Sequence, residues 1–135
     1  MVKHNHSVSL FIGQDSYLID DAVKKISAAM LDKSSIEFDY KLLYGAETDA
    51  AEILSYANTA PFASSKRVVV VKDFEKLSSD DKSRIVSYAR TPFESTCLIL
   101  ESREDSVQKE CADLARFADI RKTGNLTEED RKSVV

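Results

Sequence analysis

Residues 7–19 read Ser7-Val8-Ser9-Leu10-Phe11-Ile12-Gly13-Gln14-Asp15-Ser16-Tyr17-Leu18-Ile19. Val8, Leu10 and Ile12 recur at alternate positions until Gly13 ends the run, which is the pattern of a strand. From Leu18 the period changes. Leu18, Ile19, Ala22, Val23, Ile26, Ala29 and Met30 return at helical spacing, and Asp15 or Ser16 stands where an N-cap belongs. A strand, a glycine turn and an amphipathic helix in direct succession open a βα unit. On the predicted solvent side of that helix, Asp20 with Lys24 and Asp21 with Lys25 are acid-before-base pairs four residues apart.

The alternation continues along the chain. Phe38 to Tyr44 is a second strand candidate closed by Gly45, and Asp49 to Thr59 is a helix whose stripe is Ala50, Ile53, Leu54 and Ala57. Pro61 prevents that helix from continuing unbent. Arg67-Val68-Val69-Val70-Val71 is β-branched and nearly unbroken, as expected of a parallel strand covered on both faces, and is placed in the middle of the sheet. A helix over Ser79 to Ala89, with Ser78 or Ser79 as its cap, precedes the strand Thr96 to Leu100. Ser106 to Phe117 forms a further helix and Phe117 to Ile120 a last short strand. Strands alternating with helices imply right-handed crossovers, so the expected fold is a three-layer α/β domain with a parallel sheet between two helical layers.

With 135 residues, 43% of them hydrophobic and 31% charged, the chain suits one globular domain able to bury a core without disulfides or structural metal. Its net charge of -4 is spread evenly, so no basic half announces nucleic acid. Cys97 and Cys111 provide no disulfide framework, which points to a reducing, cytoplasmic setting. No apolar run approaches the ~20 residues that span a bilayer, and residues 1–6 form a polar, flexible leader rather than a secretory signal. The domain is placed at 7–123. Residues 124–135 read as the start of a following segment, with truncation of a longer protein and a native terminus as alternatives.

The strand–glycine–helix opening invites a phosphate site, because helix amides can receive phosphate. The turn Gly13-Gln14-Asp15 nevertheless has one glycine, no lysine for the outer phosphates and an aspartate that repels anions, so it reads as a degenerate phosphate loop. After the valine strand, Lys72-Asp73-Phe74 offers a single acid where a magnesium ATPase needs a pair, and Asp73 reads as a loop residue. The dinucleotide fingerprint fails at its second and third glycines. His4 and His6 lie in the leader and do not make a metal site, while Cys97 and Cys111 read as buried small residues. No catalytic residue, metal or cofactor is therefore assigned.

Between the second helix and the valine strand lies Ala60-Pro61-Phe62-Ala63. Phe62 is either an aromatic anchor for a partner pocket or a core phenylalanine, and its exposure decides between them. Lys66, Arg67 and Lys72 flank the valine strand and Arg121 and Lys122 follow the last one, where solvated charge is the simpler reading.

In its order of features the sequence resembles the amino-terminal domain of the delta subunit of bacterial DNA polymerase III, a clamp-loader component. The resemblance rests on Leu10 to Ile19, on Leu54 and Ala57 before Pro61-Phe62-Ala63-Ser64, on Lys66-Arg67 directly before Val68 to Val71, and on Leu98-Ile99-Leu100 before Glu101. It implies a P-loop NTPase-like, AAA+-type domain with a five-stranded parallel sheet ordered 5-1-4-3-2 and a degenerate nucleotide site. It further implies binding to the sliding clamp (beta subunit) and help in opening that ring for loading on primed DNA, without ATP hydrolysis by this subunit. The implied partners are the clamp and the other loader subunits, gamma/tau and delta prime, with primed DNA reached through the assembled complex and no membrane. The family's apolar pair at a helix end matches Pro61-Phe62, Pro61 replacing the usual aliphatic residue. Ala60, Ala63 and Ser64 shape that anchor, and Lys66 and Arg67 steer it electrostatically. The competing readings are a generic α/β interaction adaptor with Phe62 in its core and a divergent nucleotide-dependent phosphotransferase.

Overall fold

A computed structural model describes residues 6–122; His4 and the segment 124–135 lie outside them, as does all of the leader except His6, which is exposed. Five strands, β1 (Val8–Ile12), β2 (Tyr40–Tyr44), β3 (Arg67–Lys72), β4 (Thr96–Ser102) and β5 (Asp119–Lys122), alternate with helices α1 (Ser16–Met30), α2 (Ile36–Asp39), α3 (Ala50–Ala57), α4 (Ser79–Arg90) and α5 (Ser106–Glu110). The strands form one sheet in the order β2-β3-β4-β1-β5. Every pairing is parallel, with Val8 beside Leu98, Ser9 beside Asp119, Val68 beside Cys97 and Tyr40 beside Val68. This is the 5-1-4-3-2 order that the resemblance implies.

Alternation along the strands sorts side chains into two cores. On one face Phe11, Val68, Val70, Cys97 and Ile99 pack beneath Ile19 and Val23 of α1. On the other, Val8, Leu10, Val69, Val71, Leu98 and Leu100 meet Ile53 of α3, Ile85 and Tyr88 of α4, and Val107 of α5. Both faces of β4 are therefore covered, and burying each of its large aliphatic side chains contributes about 2 kcal/mol. The middle strand is β4 rather than the valine strand; β3 is interior but lies one place toward the β2 edge.

Local departures from the sequence reading have local causes. Strand β2 begins at Tyr40, not Phe38, because Ile36 to Asp39 close a short helical turn after a 3-10 turn at Lys33–Ser35. Asp20 does not pair with Lys24. It accepts from Lys72 Nζ at 2.8 Å, tying α1 to the end of β3, while the Asp21–Lys25 pair forms at 3.2 Å. The stretch after Ser106 breaks into α5 and a 3-10 helix at Ala112–Arg116, and β5 starts two residues later than Phe117.

Candidate functional site

Helix α3 is capped by Asp49, whose side chain accepts from the Glu52 amide at 2.9 Å. At its far end the Ala57 carbonyl accepts from Tyr88 Oη at 3.3 Å and from Thr96 Oγ1 at 2.6 Å. The helix thus ends at a position fixed by α4 and β4, and the chain leaves it into the loop that carries Ala60 to Ser64.

That loop is organised by a residue the sequence reading did not single out. Asp39, fully buried, accepts from the backbone N–H groups of Phe62, Ala63 and Ser64, the latter two at 3.1 and 2.9 Å, and from Ser35 Oγ at 2.7 Å. Burial pushes its carboxyl up, but the bonds from Phe62, Ser35 and Ala63 outweigh that and hold it well below the usual carboxylate range. Ser64 Oγ in turn accepts from the Asp32 amide at 2.7 Å, and Ser65 donates through its amide and hydroxyl to the Met30 carbonyl. Three earlier segments, the end of α1, the 3-10 turn and α2, converge on this one loop. The signal in the sequence was faint: an aspartate inside what resembles a strand, which strands disfavour.

Held this way, Phe62 is 78% exposed, so it is not a core residue. Ala60 and Ala63 are also exposed, Pro61 is half-buried and Ser64 is buried. The ring of Phe38, itself 60% exposed, lies with its centroid 5.6 Å from that of Phe62 at an interplanar angle of 40°. Ile36, on the same short helix as Phe38, is 47% exposed. Contiguous large apolar side chains left in water mark an interaction surface. Lys66 donates to the Glu94 carbonyl and Arg67 Nε to the Thr59 carbonyl at 3.0 Å, so both cations brace the loop's return into β3.

At the opposite end of the sheet, Gly13, Gln14 and Asp15 link β1 to α1. Gly13 N–H donates to the Ser102 carbonyl at 3.0 Å and Gln14 Nε2 to the Arg103 carbonyl at 2.7 Å. Asp15 caps α1, its carboxylate accepting from the amides of Tyr17 and Leu18 at 3.0 and 3.3 Å. The amides that could meet a phosphate are therefore occupied by a side chain of the same charge sign. A cavity of about 190 Å³ beside them is lined by Ser16, Asp20, Lys72, Asp73 and Glu101 among others.

Glu101 is 7% exposed and its Oε2 has no hydrogen-bond partner. Burial, with Asp20 and Asp73 adding repulsion against the pull of Lys72, pushes its carboxyl from 4.5 up to about 7. An acid that ionises later when folded loses stability as pH rises from its unfolded to its folded value. Glu101→Gln is therefore expected to be more stable than the wild type by about 3 kcal/mol at pH 8 and equal to it near pH 4. Thermal melts at the two pH values check this; a constant difference between them would refute it. Burial likewise raises both thiols, that of Cys97 to about 11. Among the described residues there is no cluster of three or more His, Cys, Asp or Glu able to hold a metal ion, and no helix is long and apolar enough to cross a membrane.

Comparison with known proteins bears on this geometry. Residues 10–128 match the family model described as DNA polymerase III, delta subunit. A DNA polymerase III subunit delta from Bacillus subtilis is 25% identical over an alignment of 103 residues, which covers 70% of this chain and 30% of that protein. Among solved structures, the Bacillus subtilis DNA clamp loader delta protein superposes with a TM-score of 0.79 at 22% identity, over 96% of this chain and 41% of that one. The crystal structure of a DNA polymerase III gamma subunit-related protein from Thermotoga maritima gives 0.68 at 19% identity, over 98% and 45%. The two superpositions show a shared fold, and this chain spans less than half the length of each of these relatives.

Proposed function

Because the chain belongs to the DNA polymerase III delta subunit family, we propose that residues 7–123 are the clamp-binding, AAA+-like amino-terminal domain of a cytoplasmic clamp-loader delta subunit. In this reading Phe62 enters an apolar pocket on the sliding clamp, and binding favours a clamp conformation with an opened interface. The work is differential binding between clamp states rather than bond chemistry. Related motor subunits of the loader hydrolyse ATP, and with partners of the gamma/tau and delta prime kinds the assembly places the ring on primed DNA.

The observation that carries the reading is Phe62, 78% exposed on a loop whose backbone is held by a buried carboxylate. An exposed aromatic on a braced loop loses little conformational entropy when it docks. This exposure argues against the generic adaptor with Phe62 in its core. The capped amides at Asp15 and the absence of a phosphate-loop lysine support a degenerate nucleotide site and argue against a phosphotransferase. Lys66 and Arg67, though braced, keep their charge for steering toward an acidic surface.

Calorimetric titration of the domain with its cognate clamp tests the proposal. Saturable binding is expected, and Phe62→Ala is expected to weaken it at least tenfold, about 1.4 kcal/mol, with little change in melting temperature. Magnesium-ATP in place of the clamp is expected to give no saturable heat. A folded wild-type domain that ignores the clamp, or a Phe62→Ala variant that binds it equally well, would overturn the reading.

A further inference from the structure

Pro61 is half-buried, so the residue before Phe62 does not present a free apolar knob. A second knob exists elsewhere in the chain. Phe38, at the end of α2, places its ring centroid 5.6 Å from that of Phe62, within the contact range of aromatic pairs. If Phe38 were only a support it would be covered, yet 60% of it faces solvent. The two rings are also mechanically joined: Asp39, the next residue after Phe38, accepts the Phe62 amide, so the backbone of one aromatic is fastened to that of the other.

We propose that Phe38 is the second half of the anchor, entering the same apolar clamp pocket side by side with Phe62. The inference rests on the clamp-binding reading above and extends it to a residue 24 positions upstream on a different element. The partner surface it requires is a cleft wide enough for two tilted rings, with apolar walls at its centre. Each ring presents the other with a face that excludes water, so removing one leaves the survivor a poorer fit, and the two losses are coupled rather than additive.

A double-mutant cycle with Phe38→Ala, Phe62→Ala and the double variant, each titrated calorimetrically against the clamp, is the test. Phe38→Ala is expected to keep its melting temperature and to weaken binding at least tenfold, while the double variant binds much more tightly than the product of the two single losses predicts. If Phe38→Ala does not fold, Phe38→Leu serves the same cycle with an expected loss of about threefold, on the order of a shape mismatch in an apolar pocket. Wild-type affinity in the folded Phe38 variant alongside a damaged Phe62→Ala overturns the shared anchor and leaves the clamp-binding reading standing. Strictly multiplicative losses overturn the common pocket, and absence of binding by the wild type removes both.

Discussion

Asp39→Ala is expected to lower the melting temperature by roughly 10 °C and to weaken clamp binding as much as loss of the Phe62 side chain does, although Asp39 is buried beneath the surface that binds. The carboxylate receives three consecutive backbone amides and the Ser35 hydroxyl. Alanine removes the acceptor that those four donors share, and the loop changes conformation to regain partners for them. Phe62 then samples many positions before it docks. Asp39→Asn keeps the shape but offers one acceptor oxygen in place of two, so it falls between wild type and alanine. The pH dependence has a definite sign. The folded carboxyl lies below its ordinary value of 3.8, so its stabilisation is complete above about pH 4 and is lost as pH falls through the folded value. Melts of wild type and Asp39→Asn are expected to differ most above pH 5 and to converge in strong acid. Equal melts at neutral pH, with unaltered clamp affinity, would refute the role assigned to Asp39.

Gly45→Ala is expected to cost about 3 kcal/mol, at the upper end for overpacking. A Cβ at Gly45 would stand 2.0 Å from the carbonyl oxygen and 2.8 Å from the carbonyl carbon of Asp73. Both atoms are backbone, and Asp73 is itself held in the left-handed region with φ 56°, so it has little freedom to yield. Relief requires parting the ends of β2 and β3, which breaks the 2.7 Å bond from Gly45 N–H to the Lys72 carbonyl. Urea denaturation reads the effect as a lower midpoint at unchanged slope. The Phe62 loop enters β3 at its opposite end, so the folded fraction of Gly45→Ala is expected to bind clamp with wild-type affinity. A midpoint equal to the wild type's would show that the turn opens freely.

The contrast between these two sites indicates what sequence alone can report. Strands β1 to β4 were legible because each carries an apolar run or stripe next to a glycine, proline or helix cap, and those signals are local, whereas β5, Asp-Ile-Arg-Lys, has one apolar residue and little to mark its start. Phe62 was visible as a candidate, but its exposure depends on where α3 stops and on Asp39, 23 residues away. Nothing in Phe38-Asp39-Tyr40 marks the aspartate as a loop organiser until the fold brings residues 62–64 to it; alternation instead extends β2 two residues too far. Asp20 failed for the same reason, since its helical neighbour Lys24 was evident and its true partner Lys72 belonged to another strand. Short-range pattern gives elements, whereas charge partners are settled by topology.

The placement of β1 between β4 and β5 has a consequence for the order in which the protein can be made. Its first five-residue strand finds one neighbour at Leu98 to Ser102 and the other at Asp119 to Lys122. During synthesis, at roughly 5–20 residues per second, the apolar residues Leu10, Phe11 and Ile12 must wait several seconds or more before any strand exists to pair with them. Meanwhile β2 and β3 can already dock as a parallel pair through the α3 crossover. On the ribosome β2 and β3 therefore have each other as partners before β1 has any, and β1, made before the other four strands, can be seated only once β4 has emerged. A nascent chain halted after β3 exposes an unpaired hydrophobic strand, the feature that chaperones bind and that aggregates recruit.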